Sequence, residues 1–157
     1  MMNQRPHTLI ALMPSRMLLT LLAGFFLVAY SLHGRAECFE LAEQHYGVSA
    51  SLLRAVAEQE SNMNPRAFNL NSNGSWDAGL MQINSRWLPL LKRHGIEARD
   101  LMDACTSVLI GAWILSNNFR RMGKTTQALG AYNSSHPQLR ERYASQVLAR
   151  LARAQRF

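Results

Sequence analysis

From residue 37 onward, apolar residues return every three or four positions in each long segment, and nowhere do they alternate long enough to build a strand. That period confines the chain to helices packed on helices. ECFELAEQHYG is the first helix, with Phe39, Ala42 and Tyr46 on one face. Gly47 ends it, and Ser49 caps a second helix through SASLLRAVAEQES. Asn62–Asp77 is an Asn-rich loop, GLMQIN a short apolar piece, and SRWLPLLKRHG a helix broken at Pro89. Asp103 caps a long apolar helix, Ala104 to Met122, which Gly123 stops; Gly111 inside it leaves room for another helix to approach. TTQALGAYN is short and helical, and Pro137 opens a last, basic helix with Leu139, Tyr143, Val147 and Leu151 on one face. The expectation is an all-α, helix-dominated, single small globular domain.

The N-terminus reads differently. Arg5 and Arg16 precede Met17–Tyr30, fourteen residues without a charge. That run is short for a membrane span and suits the apolar core of a signal peptide. Gly34 and Ala36 place small residues at −3 and −1 of a cut before Glu37. Residues 1–36 are therefore expected to be a signal peptide and 37–157 the exported domain, with an uncleaved anchor as the alternative. Both cysteines, Cys38 and Cys105, lie after the cut, so an oxidising compartment predicts one disulfide, two buried thiols being the alternative. His45, His94 and His136 are scattered, which predicts no metal site. Removing Arg5, Arg16 and Arg35 from 17 Lys/Arg leaves 14 against 10 Asp/Glu, so the domain stays basic. Export argues against nucleic acid as partner and for an anionic envelope polymer.

One residue breaks the apolar pattern. Leu52, Leu53, Val56 and Ala57 form the buried stripe of the second helix, and Glu60 falls on it, four residues after Val56. Glu58 falls on the opposite side, as a solvated charge. A carboxyl aimed at a core loses hydration, and the negative end of its helix opposes ionisation further. Both effects favour the protonated form that a general acid requires. A helix-end Glu bonded to backbone or to a nearby Arg is the plainer alternative. Trp76, Trp87 and Trp113 are read as core, with stacking on sugar rings as the alternative.

Three segments, as a set and in this order, resemble a known family. Glu60–Ser61 with Asn64–Pro65, then GLMQI at Gly79–Ile83, then AYN at Ala131–Asn133, resemble the soluble-lytic-transglycosylase catalytic domain, which has a goose-type-lysozyme-like fold. The small size, the leader, NSNGSWDAGLMQINSRWLP and the two cysteines are most similar to the specialised invasion-protein type (IagB-like) that accompanies type III secretion systems, pili and conjugation machines. The resemblance implies a periplasmic enzyme, expected to be a monomer, that opens peptidoglycan locally and needs no cofactor. It implies Glu60 as catalytic acid and base, with Ser61 holding its surroundings. Met81 and Gln82 would line the sugar groove, with Ile83 packed behind. Tyr132 would hydrogen-bond the Glu60 carboxyl, and Asn133 would contact glycan. Read from the residues alone, Ser61 as a helix end, Gln82 as a surface amide and Tyr132 as core stay open. So does Asp77, which is either a cap for the next segment or the second carboxylate of a hydrolytic muramidase. A noncatalytic wall-binding scaffold and a secreted basic peptide-like toxin are the remaining alternatives.

Overall fold

The computed structural model describes residues 37–156; the expected signal peptide lies outside them. Helix α1 (37–46) ends where Gly47 turns left-handed, at φ 67°, and its amide donates to the Glu43 carbonyl at 2.8 Å. Helix α2 (Ala50–Ser61) starts at Ser49, whose hydroxyl accepts from the Leu52 amide. Glu43 adds a second cap, accepting from the Ala50 amide at 2.9 Å. Asn62 closes α2 in the left-handed region. A 3-10 turn (Ser85–Trp87), the one-turn α3 (Leu88–Leu91) and a second 3-10 turn (Lys92–His94) occupy the segment expected to be a broken helix; Pro89 sits at the start of α3. A third 3-10 turn (Ala98–Met102) leads to α4 (Ala104–Met122), capped by Asp103 through the Thr106 amide at 2.8 Å. The short α5 (Thr126–Gly130) and the long α6 (Pro137–Ala154) complete the helices. None among the described residues is long and apolar enough to cross a membrane.

The helix-dominated expectation holds, with one correction. The Asn-rich stretch is not a plain loop. It carries β1 (Phe68–Leu70) and β2 (Trp76–Ala78), an antiparallel pair with Phe68 opposite Ala78 and Leu70 opposite Trp76. A two-residue β3 (Ile83–Asn84) adds to β2. The turn between the first two strands contains Asn73–Gly74, with Gly74 at φ 82°. Such an Asn-Gly step between apolar/polar alternations is a hairpin signal, but strands of three residues are too short for period alone to detect.

Phe39, Leu53, Val56, Leu80, Leu115 and Val147 are among the largest fully buried side chains, and they bring α1, α2, α4, α6 and the Leu80 loop into one core. On α6 the predicted face is buried at Tyr143 and Val147, while Leu139 at its start remains exposed. The predicted disulfide joins Cys38 to Cys105 with Cα atoms 5.3 Å apart, tying α1 to the first turn of α4 across 67 residues. A closure of that length constrains the unfolded chain by about 4 kcal/mol on the chain-entropy model. Replacing both cysteines by serine is expected to lower unfolding free energy by about 2–4 kcal/mol in denaturant titrations, and a change below about 1 kcal/mol would contradict this account.

Candidate active site

The carboxyl of Glu60 stands at the last turn of α2, half-buried, on a groove of about 470 Å³. Burial pushes its pKa up; a hydrogen bond donated by the Tyr143 hydroxyl to Oε1 pulls it down, and the nearby Asp77 charge raises it again, leaving it at about 7. The Asp77 charge is a raising influence that the helical pattern did not reveal. Near neutral pH the group divides between a proton donor and a proton acceptor, which suits one residue serving as both. Glu58, on the other side of the same helix, is bound to Arg150 of α6 at 2.8 Å and lies outside the groove. It is a partly exposed ion pair rather than a free solvated charge.

The phenol on Glu60 comes from Tyr143, not Tyr132. Tyr132 donates instead to the Met81 carbonyl at 2.8 Å, and the two tyrosine rings stack 6.4 Å apart at 18°. Burial first, and the neighbouring Glu60 next, hold both phenols well above the ordinary tyrosine pKa, so both remain donors. Tyr143 escaped the motif reading because it sits on the regular apolar face of α6, where an aromatic is expected as core. The available signal was its polar end, since a buried tyrosine hydroxyl needs a partner.

The Gly79–Ile83 segment is fastened from several sides. Ser61 Oγ lies 2.7 Å from the Leu80 carbonyl and 3.1 Å from that of Ala57, so it anchors the loop to α2 and is engaged with backbone. The fully buried Ser107 of α4 accepts from the Met81 amide at 3.0 Å. Gly79 turns at φ 81°, and a Cβ there would lie 1.8 Å from the Leu101 carbonyl oxygen, so no other residue fits. Gly111 of α4 does admit a close approach, but of this loop rather than of another helix. A Cβ at Gly111 would lie 2.6 Å from Met81 Cε and 3.0 Å from the Tyr132 hydroxyl.

That seat corrects the role expected of Met81. Its side chain is fully buried and does not line the groove; its contribution is a carbonyl for Tyr132. Gln82 and Ile83 do line the groove. Gln82 is left-handed, at φ 46°, and both bonds from its side-chain nitrogen go to backbone, the carbonyls of Ala67 (3.1 Å) and Gly79 (3.0 Å). It is therefore a brace on the groove wall and not a surface amide. Asn133 is exposed on the groove beside Tyr132.

Asp77 caps nothing. It lies in β2, and its two carboxylate oxygens accept from Asn71 Nδ2 (2.8 Å) and Asn84 Nδ2 (2.7 Å), facing the same groove as Glu60. Clefts of about 420 and 480 Å³ elsewhere in the described domain lack Glu60, and the larger is mostly apolar.

Residues 37–149 match the family model described as Transglycosylase SLT domain. The chain belongs to the transglycosylase SLT family. It is 42% identical over 117 residues to Invasion protein IagB of Salmonella typhimurium, covering 71% of this chain and 73% of that protein. It is 38% identical over 135 residues to Protein IpgF of Shigella flexneri, covering 82% and 89%. A Peptidoglycan-binding-like protein of Escherichia coli O157:H7 is 35% identical over 129 residues, covering 77% of each. As a transglycosylase SLT domain the chain is a peptidoglycan lytic transglycosylase, and peptidoglycan is its substrate class.

The transglycosylase site carries a pH consequence. The Tyr143 bond stabilises ionised Glu60, so its removal raises the carboxyl pKa above about 7. Activity that requires the protonated acid declines as pH rises through that value. Tyr143→Phe is expected to move this declining limb of kcat/KM to higher pH while lowering the maximum. A limb that stays in place would show that the phenol does not tune Glu60.

Proposed function

We propose that Glu60 alone supplies the proton transfers of a non-hydrolytic cleavage between N-acetylmuramic acid and N-acetylglucosamine. Protonated Glu60 gives its proton to the bridging oxygen, and the bond from that oxygen to the muramic anomeric carbon breaks. The substrate acetamido group and the Asp77 carboxylate offset the positive charge that develops there. Glu60, now a carboxylate, takes the proton from the C6 hydroxyl as that oxygen bonds to the anomeric carbon. The ring closes as a 1,6-anhydro end, and Glu60 is protonated again. No water is consumed, and the attacker is already part of the bound sugar, so its effective concentration is high. Tyr143, Ser61 and the braced Gln82 position the acid and the groove wall, while Ile83, Asn133 and the hairpin asparagines border the glycan. The observation that carries this reading is the half-buried Glu60 carboxyl, with pKa at about 7, on a polar groove.

The family membership supports this chemistry over hydrolysis or passive binding. Asp77 shares the groove, and the two reactions separate by product. Digestion of purified sacculi is expected to yield 1,6-anhydro-muramic ends. Glu60→Gln is expected to lower turnover by at least about 10²–10⁴-fold. Glu58→Gln loses a partly exposed ion pair, about 0–1 kcal/mol, and keeps most activity. Asp77→Asn is expected to lower the Glu60 pKa, because a raising charge is removed, and still to give anhydro products. Reducing ends from the wild-type enzyme would identify it as a muramidase using both carboxylates.

We further infer that residues 1–36 direct export to the periplasm and are cleaved after Ala36, and that the enzyme, acting as a monomer, opens the wall for a secretion system, pilus or conjugation machine. The uncharged run at Met17–Tyr30 and the likeness to a protein named for invasion support this. Export is tested by N-terminal sequencing of the mature protein, which should begin at Glu37; retention of Met17–Tyr30 would indicate an anchor.

A further inference from the structure

The groove does not end at the two carboxylates. Beyond Asn84, whose side chain holds Asp77, the wall continues into the 3-10 turn Ser85–Trp87, and both Arg86 and Trp87 line the groove. The turn is rigidly based, because the Asn84 side-chain oxygen accepts from the Arg86 amide at 3.0 Å. Trp87 is half-buried and is seated edge-on against Trp113 at 5.3 Å between ring centroids, so the orientation of its indole is fixed by the core. Among the described residues that line the groove, Glu60, Asp77 and Arg86 are the acidic and basic ones. Arg86 is exposed and takes part in no ion pair among the described residues. Asp77 forms no ion pair with it; its two oxygens accept from the amides of Asn71 and Asn84.

This layout has a direct electrostatic meaning. The proposed substrate carries carboxylates on its muramic acid substituents. The Asp77 charge at the cleavage point repels them, and the lone cation further along the wall attracts them. An aromatic face beside an arginine fork also matches the two parts of such a unit: an apolar ring face and a planar carboxylate.

We propose that Arg86 and Trp87 form a subsite for a sugar bearing a carboxylate substituent, the indole supporting the ring and the guanidinium binding the carboxylate. The subsite rests on the peptidoglycan reading of the groove and specifies which strands it accepts. The carboxylate comes either from the stem peptide or, on strands stripped of peptide, from the lactyl group.

The test measures kcat/KM of wild type, Arg86→Gln and Trp87→Phe on three soluble glycan preparations: peptide-bearing strands, amidase-stripped strands, and peptide-bearing strands whose carboxylates have been converted to amides with carbodiimide and ammonia. Arg86→Gln is expected to lose roughly tenfold on peptide-bearing strands, the scale of a charge-assisted hydrogen bond. It should lose nothing further, relative to wild type, on amidated strands. On stripped strands, where the lactyl carboxylate is freed, a persisting loss shows that it takes the place of the stem carboxylate, and a vanishing one shows that the subsite reads the stem alone; either supports the subsite. Trp87→Phe is expected to weaken all three preparations alike and to act on KM more than on kcat. An Arg86→Gln enzyme with wild-type kcat/KM on peptide-bearing strands, or with an equal loss on amidated ones, overturns the proposal. Failure of the underlying reaction reads out separately, as wild-type products without anhydro ends.

Discussion

A carboxyl group taken partly out of water must be neutral, hydrogen-bonded or both, and the contact between Glu60 and the Tyr143 hydroxyl meets that demand here. It joins the end of α2 to the middle of α6. Around it the same two helices add the Arg150 bonds to Glu58 and Gln59, each 2.8 Å. On the other side, Ser61 carries the restraint from α2 into the Leu80 loop, and Tyr132 and Ser107 hold that loop to the AYN turn and to α4. The acid's environment is therefore a junction of five elements: α2, α6, the Leu80 loop, the AYN turn and α4. Little of it could be altered without changing how dry, and so how acidic, the carboxyl is.

Much of the helical frame was legible because its causes are local. Ser49, Asp103 and Pro137 start helices, and Gly47 and Gly123 stop them, for reasons contained within a few residues. The placement of Glu60 was legible for a related reason: helical phase relative to Val56 decides which side of α2 faces the core. The opposite phase sends Glu58 to Arg150, a partner ninety-two positions away that no local pattern reveals.

The misreadings share a cause as well. Tyr132 and Tyr143 both belong to apolar helical patterns, and which phenol reaches Glu60 depends on how α5 and α6 cross. Met81 lies in a motif associated with sugar binding, yet its side chain is drawn into the space above Gly111, a tertiary vacancy invisible along the chain. The hairpin was hidden by brevity: Phe68–Asn69–Leu70 and Trp76–Asp77–Ala78 alternate, but three positions are too few to establish a period. Asp77 stands out in the sequence as a possible second carboxylate, but only the hairpin decides against a cap, because its amide partners sit on the neighbouring turn and strand.

The link from Glu60 to Tyr143 spans 83 positions and reaches into the last helix. Synthesised from its N-terminus, the chain presents every recognisable motif, through Asn133, before that helix. Without α6 the carboxyl lacks its phenol. The segment with the least obvious chemistry thus completes the surroundings of the acid. A chain cut short before Pro137 keeps all three motifs and still lacks the hydroxyl that donates to Glu60.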